Sequence, residues 1–488
     1  MSIKETALPK VQTKLFINGK WIDGNSKEVK EVINPATGEV IAKIAQAGPA
    51  ETKQAIKAAK DAFPDWANME LAERVKILHK IADLMEQKAD KLAKIMTLEQ
   101  GKPLKESKGE VLTGVENFRF AAEEARRLYG ETIPAPNNHA FIVKKQPIGV
   151  VAAITPWNFP GGMVTRKIAP ALATGNTVIL KPSGDTPLSA LAIFEIFEEA
   201  GLPKGVANIV MGSSKEIGET LTGSDDVRKL TFTGSTKVGQ SLFKQSAVTL
   251  KKISLELGGH APFIVFADAN LEQATSDLVA AKFRNNGQVC VSPNRIFVAK
   301  EIKEAFTKQL ITKVEKLKVG NGLDDVNVGP LIREDAMDKI DQQLKNAKDK
   351  GAKVLTGGGR LTGSDYDKGN FYQPTVLDEV TREMDIFYEE TFGPVIPLIS
   401  FETEDGAIEL ANDSEFGLAS YFYTKDLARV EKVSSALEYG MVGANEIAIS
   451  NPETPFGGVK HSGFGRENGH FGMEEYIDVK FINLKYRD

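Results

Sequence analysis

The spacing of apolar residues changes along the chain, and each change marks a different kind of structure. Residues 14–47 form short runs separated by turns, such as Phe16-Ile17-Asn18-Gly19-Lys20-Trp21 and Asn34-Pro35-Ala36-Thr37-Gly38, and read as short strands. Two or three amphipathic helices are expected next. Leu71, Val75, Leu78, Ala82 and Met85 recur at steps of four and three, which places them on one helical face. Gly101-Lys102-Pro103 stops that region, since neither Gly nor Pro prolongs a helix, and a further helix through Glu116 to Tyr129 is closed by Gly130.

From Ile148 the helical period gives way to short apolar runs. Gly149 to Ile154, Thr177 to Leu180, Ala207 to Val210, Lys229 to Phe232 and Ile253 to Leu255 recur, with helical segments between several of them. One of those helices has Asp185 and Thr186 as N-cap candidates, Pro187 in its first turn and Gly201 just past its end. Such alternation predicts a parallel sheet covered by helices, an architecture suited to nucleotides. A second α/β set begins after Cys290, with strands expected at Arg295 to Val298, Val395 to Ile399 and Ser420 to Tyr423, and helices near 302–316, 404–412 and 427–438. The stretch Tyr476 to Ile482 alternates like an exposed strand. At a sheet edge it would invite pairing with another chain; as an internal strand it would not.

Length and charge narrow the picture. A chain of 488 residues is too long for one core and suggests about three domains. The net charge of −5 and pI near 5.8 supply no basic field for nucleic acid or an anionic membrane. The opening Met-Ser-Ile-Lys-Glu-Thr-Ala lacks the apolar stretch of a secretory signal, and no run approaches the roughly 20 apolar residues that span a bilayer. With a single cysteine as well, a reducing cytoplasm is the expected location. The five histidines show no ligand spacing and no second cysteine exists, so no metal site is expected.

The lone cysteine is the first candidate for chemistry. Cys290 follows Asn285-Asn286-Gly287-Gln288-Val289 and precedes Ser292-Pro293-Asn294, an irregular, loop-like setting. It can be an inert buried thiol, a target of external modification, or a nucleophile. Glu256 ends an apolar strand before Gly258-Gly259; a partly desolvated carboxylate there is either a general base or half of a salt bridge. Asn158 lies between two prolines and two aromatics in Pro156-Trp157-Asn158-Phe159-Pro160. Its amide is a donor to a developing oxyanion or a plain turn residue. Lys181, in Lys181-Pro182-Ser183, stands at a strand's carboxyl end, where ligands of open α/β sheets bind; it can reach ribose hydroxyls or a phosphate, or simply be solvated. Gly234-Ser235-Thr236-Lys237-Val238-Gly239 follows a strand and opens a helix, although it is not Gly-x-Gly-x-x-Gly.

Taken together and in this order, Pro156-Trp157-Asn158-Phe159-Pro160, Lys181-Pro182-Ser183, Phe232-Thr233-Gly234-Ser235, Glu256-Leu257-Gly258-Gly259, Gly287-Gln288-Val289-Cys290, Glu389-Glu390-Thr391-Phe392-Gly393-Pro394 and Pro455-Phe456-Gly457-Gly458 resemble the non-acylating aldehyde dehydrogenase family, from about Phe16 to Phe481. The resemblance implies an α/β subunit of three parts. These are a Rossmann-type cofactor domain (1–122 and 144–256), an α/β catalytic domain (257–456), and a β-strand oligomerisation element (123–143 and 457–488) that makes dimers or tetramers. It implies Cys290 as the nucleophile that forms a thiohemiacetal and then a thioester. Asn158 and the Cys290 N–H would hold the oxyanion, and Glu256 would activate the water that releases a carboxylic acid. The cofactor, NAD or NADP, would lie against Trp157, Lys181, Ser183, Gly184, Gly234, Ser235, Leu257, Glu390 and Phe392.

Two details narrow the resemblance. NAD-specific relatives often carry an acid three places after the strand-end lysine, where this chain has Gly184. No carboxylate there repels a 2′-phosphate, so NADP is expected to be accepted. Arg166, Arg284 and Ser450 match the anion-binding residues of succinate-semialdehyde dehydrogenases, and paired guanidinium groups suit a carboxylate. Succinate semialdehyde is therefore the expected substrate, with glutarate semialdehyde, 2-oxoglutarate semialdehyde and lactaldehyde as rivals. A non-catalytic protein of the same fold is the reading from a different class. Ser292 occupies the place where some relatives keep a second cysteine, which excludes an internal disulfide.

Overall fold

A computed structural model gives the fold of residues 7–25 and 28–486. Its first sheet runs in the spatial order Lys20–Ile22, Leu15–Ile17, Ala207–Ile209, Thr177–Lys181, Val150–Ile154, Val227–Thr233, Lys252–Glu256 and Gly463–Phe464. The five strands from Ala207–Ile209 to Lys252–Glu256 are parallel, with antiparallel strands closing both edges. Parallel strands covered by helices lose water on both faces, so they carry near-continuous apolar runs rather than alternation. Val150–Ile154 and Thr177–Lys181 are buried throughout. Their register aligns Ile154 with Lys181, Phe232 with Ile154, and Thr233 with Glu256. The carboxyl ends of four strands thus open on one edge, which is where the functional loops begin.

The second sheet runs Lys353–Thr356, Thr375–Asp378, Val395–Phe401, Pro293–Ala299, Ala261–Val265, Ala419–Tyr423 and Met441–Ala444. Only Lys353–Thr356 is antiparallel to its neighbour. A third, antiparallel sheet orders Ile477–Lys485, His139–Pro147 and Glu131–Ile133, with its long pair in register from Ile477 opposite Pro147 to Lys485 opposite His139. Its middle strand crosses residue 143, and Gly463–Phe464 belongs to the first sheet, so neither edge of the expected oligomerisation element follows a sheet boundary. Ile477–Lys485 is an edge strand carrying exposed Val479, Phe481 and Leu484.

Where the sequence expectations miss, tertiary contacts replace local signals. The helix count before Gly101 is three, within the expected two or three, namely Pro49–Asn68, Leu71–Gln87 and Ala89–Gln100, followed by Leu104–Glu124; the second and third are separated only by Lys88. No Gly or Pro announces that break. The last of them ends at Glu124 and passes into a 3₁₀ turn, Ala125–Arg127, before Tyr129 is reached. Neither Asp185 nor Thr186 caps the helix Leu188–Ala200; Pro187 holds the N-cap place. The free N–H groups of Leu188 and Ser189 donate instead to the carboxylate of Glu99, at 2.6 and 2.8 Å, from a helix remote in sequence. Among the described residues no helix is long and apolar enough to cross a membrane.

Candidate active site

The strand Val150–Ile154 hands over to the loop that carries Asn158, and this loop is pinned from below. Lys102 is fully buried and donates to the Asn158 carbonyl at 2.7 Å and to the Glu110 carboxylate at 2.5 Å. The other Glu110 oxygen accepts the N–H groups of Gly161 and Gly162, at 2.9 and 2.8 Å, where the helix Gly162–Ala173 begins. Burial lowers the Lys102 ammonium and Glu110 pulls it back up. Neither residue stood out in the sequence. Lys102 reads there as part of a helix stop, and only the oddity of a charged residue between a helix-ending Gly and a Pro hints at burial. The Asn158 amide donates one N–H to the Gln288 carbonyl at 3.0 Å, which fixes its plane and leaves the second N–H free.

Cys290 lies on a loop whose shape is set by three consecutive left-handed residues, Asn285 (φ 47°), Asn286 (φ 55°) and Gly287 (φ 76°). Asn and Gly are the residues that tolerate this conformation. The Asn285 amide ties the loop down by donating to the Asn158 carbonyl at 2.9 Å and accepting from Gln100 at 2.9 Å. Close approach of the neighbouring loops explains the glycines in two of the motifs. A Cβ on Gly259 would lie 2.2 Å from the Cys290 carbonyl oxygen, and one on Gly287 would lie 2.2 Å from that of Gly393. Burial pushes the Cys290 thiol up to about 12; Glu390 and Glu256 add to the rise and Arg166 opposes it.

Glu256 ends its strand almost fully buried, and neither of its carboxylate oxygens has a hydrogen-bond partner. Burial raises its carboxyl well above the usual range, Glu467 raises it further, and Lys167, Arg166 and Arg466 work against both. Lys167 is itself tied to Glu467 at 2.5 Å and to the Thr231 hydroxyl at 3.1 Å. Arg166 is buried against the Phe456 ring, 4.4 Å from its centroid, and donates to the Ser450 hydroxyl at 2.9 Å. Its Nε and Nη1 have no hydrogen-bond partner. Arg284 is exposed and lies over the Phe159 ring at 5.1 Å. Phe159 packs with Met163 and Val289 in one small apolar cluster.

A cavity of about 350 Å³ joins these parts, lined by Trp157, Asn158, Gly234, Ser235, Leu257, Cys290, Glu390 and Phe392, together with Arg333 and Lys339 from the second α/β unit. Lys181, Ser183 and Gly184 do not line it, nor do Arg166, Arg284 and Ser450, nor Glu256, which acts on the thiol through its charge. Trp157 and Phe392 meet edge to face at 5.7 Å. The Glu390 carboxylate accepts the Gly259 N–H at 3.0 Å and is raised to about 7 by burial. Burial brings the Lys181 ammonium down to about 8; Lys30 pushes it the same way and Asp185 opposes them. Its one hydrogen bond is a long one, 3.4 Å to the Pro182 carbonyl. Ser235 precedes the helix Thr236–Ser246 without capping it by its side chain. A buried ammonium outside the cavity, and an uncapped helix start and a buried carboxylate in its lining, fit a nicotinamide dinucleotide.

Comparison with known proteins agrees over nearly the whole chain. Residues 21–482 match the sequence profile of the Aldehyde dehydrogenase family. The chain is 49% identical to the glutarate-semialdehyde dehydrogenase of Pseudomonas putida over 484 residues, covering 99% of both. It is 49% identical to the NADP(+) succinate-semialdehyde dehydrogenase of Escherichia coli over 470 residues, covering 96% of both. Among solved structures, a succinate-semialdehyde dehydrogenase from Burkholderia pseudomallei superposes with a TM-score of 0.95 at 47% identity, covering 98% of each chain.

Proposed function

The chain belongs to the aldehyde dehydrogenase family and is an oxidoreductase that uses NAD or NADP; from that premise we propose that it oxidises succinate semialdehyde to succinate through Cys290. The Cys290 sulfur, as thiolate, bonds to the aldehyde carbon, and the carbonyl π pair becomes an oxyanion. The free N–H of Asn158 and the main-chain N–H of Cys290 receive that charge. The bound cofactor supplies the hydride acceptor. With hydride gone from the carbon, Cys290 holds a thioester; Glu256 takes a proton from water, the water oxygen bonds to the acyl carbon, and the carbon–sulfur bond breaks to return the thiolate. Burial works against ionisation of the Cys290 thiol, and positive charge entering the pit would favour the attacking thiolate.

The observation that carries the substrate assignment is Arg166, buried, steadied by Ser450 and without a hydrogen bond at Nε or at Nη1, the latter 3.9 Å from the Glu467 carboxylate. A terminal carboxylate is a ligand that a buried, partly unbonded guanidinium accepts. Arg284, over the Phe159 ring, adds a second, solvent-facing cation. Arg166→Ala is expected to lower kcat/KM for succinate semialdehyde by about 10- to 100-fold, the worth of a lost charged hydrogen bond, while butanal changes little. Equal losses on both substrates would remove the arginine from substrate recognition. Glutarate semialdehyde is the second reading, favoured by the equal identity to the Pseudomonas putida enzyme; a kcat/KM comparison of the two semialdehydes separates them. We further assign the first sheet with its helices to the cofactor domain, the second sheet to the catalytic domain, and the sheet of Glu131–Ile133, His139–Pro147 and Ile477–Lys485 to contacts within a cytoplasmic homo-oligomer. The exposed edge strand Ile477–Lys485 supports that last role.

A further inference from the structure

Beyond the family's dinucleotide sheet, the hairpin formed by Val29–Ile33 and Val40–Ala45 sends one side chain back toward the strand-end lysine. The Lys30 ammonium lies 3.0 Å from one oxygen of Asp185, and Arg333 lies 2.8 Å from the other. Lys30 also occupies the space beside Gly184: a Cβ built there would be 2.7 Å from its Nζ. Gly184 itself presents no side chain at that spot. In this chain the same spot is faced by an ammonium delivered from another element.

We infer that Lys30 is a specificity-determining residue that recognises the 2′-phosphate of NADP and makes NADP the preferred coenzyme. The inference rests on the reading that the adenosine ribose lies against Lys181, and it adds a contact from outside the sheet. The charges around Ser183-Gly184-Asp185 favour a dianion. Lys30, Lys181 and Arg333 are cationic, and Asp185, with Asp335 at 3.1 Å from Arg333, is the acidic side. Both Asp185 oxygens are already engaged by cations, so the carboxylate is poorly placed to accept a ribose 2′-hydroxyl and its charge toward a phosphate is muted. The Ser183 hydroxyl accepts the Asp185 N–H at 3.3 Å, which leaves its own proton to donate. The Lys30 ammonium beside Gly184 adds to the cost of charging buried Lys181, and an anion bound at Gly184 relieves that cost. Lys30 is partly exposed on a long stem, so it can turn from Asp185 to a phosphate without moving the hairpin.

The test is direct binding. Dissociation constants for NADPH and NADH are measured by energy transfer from protein tryptophan, for wild type, Lys30→Ala and Lys30→Arg. Competition by adenosine 2′,5′-bisphosphate and by 5′-AMP is measured alongside. Lys30→Ala is expected to weaken NADPH and the bisphosphate by about tenfold or more, the scale of one charge-assisted hydrogen bond. NADH and 5′-AMP should stay within about twofold on the same reasoning, and Lys30→Arg should restore most of the loss. Equal weakening of both coenzymes, or none, overturns the inference while leaving the Lys181 site standing. If neither adenosine ligand competes in the wild type, the ribose is not at Lys181 and both readings fall.

Discussion

Two buried ionic groups flank the thiol, and they differ in how completely their atoms are used. Lys102 and Glu110 form the first: the ammonium serves a carboxylate and a carbonyl, the carboxylate serves the lysine and two N–H groups, and none of these atoms lacks a partner. Glu256, Arg166, Lys167 and Glu467 form the second. Both oxygens of Glu256, two nitrogens of Arg166 and one oxygen of Glu467 are buried there without a hydrogen bond. Burying polar atoms without partners costs stability. A group that saturates itself can only hold structure in place, whereas one that keeps lone pairs and N–H groups in reserve can receive a substrate or a water proton. The first group positions Asn158; the second is where proton transfer and carboxylate binding are proposed.

The sharpest way to break this contrast is to neutralise one member of each group. Glu256→Gln is expected to slow steady-state turnover by about 10²- to 10⁴-fold, while a burst of one reduced cofactor per site survives, because the base is needed only to release the acid. Stopped-flow absorbance reads both phases; loss of the burst would place Glu256 before hydride transfer. Lys102→Met should act in the opposite sense, destabilising the fold by about 3–5 kcal/mol, since Glu110 would be left buried and unpaired. Urea unfolding measures that loss, and an unchanged midpoint would show that the first group is not the support described.

Glu256→Gln also gives a smaller, pH-dependent effect. Folding raises the Glu256 carboxyl above its ordinary 4.5. The native state therefore binds more protons than the unfolded chain between that value and the raised one. The stability contributed by this residue is complete below pH 4.5 and is lost as pH climbs through the raised value. Glu256→Gln should remove that slope and be as stable as the parent, or more so, at neutral pH. Smallest of all, NADPH affinity should decline as pH passes about 8, where free Lys181 loses its charge. A flat profile would remove that ammonium from phosphate recognition.

The two groups also differ in how far the sequence revealed them. Glu256, Arg166 and Ser450 stood in recognisable surroundings, and the thiol was conspicuous as the single sulfur nucleophile. The parallel strands were legible for a physical reason: burial on both faces leaves compact apolar runs. Lys102, Glu110 and Glu99 were invisible because their partners come from elements far away in the chain, and a buried lysine looks in sequence like a solvated one. The shortfall at the helix Leu188–Ala200 has the same origin, a cap supplied by Glu99 rather than by its neighbours. Lys30 was missed likewise, since nothing near it in sequence indicates that its hairpin folds over Gly184.

That one residue carries all the thiol in the polypeptide gives a simple means of counting. A thiol-selective reagent that goes on with a stoichiometry of one per chain has gone to Cys290, the one cysteine in the sequence, so the label incorporated counts reachable thiols in any preparation. Comparing that figure with the residual turnover then tells an experimenter whether a sluggish variant is uniformly impaired or merely a mixture of working and dead molecules.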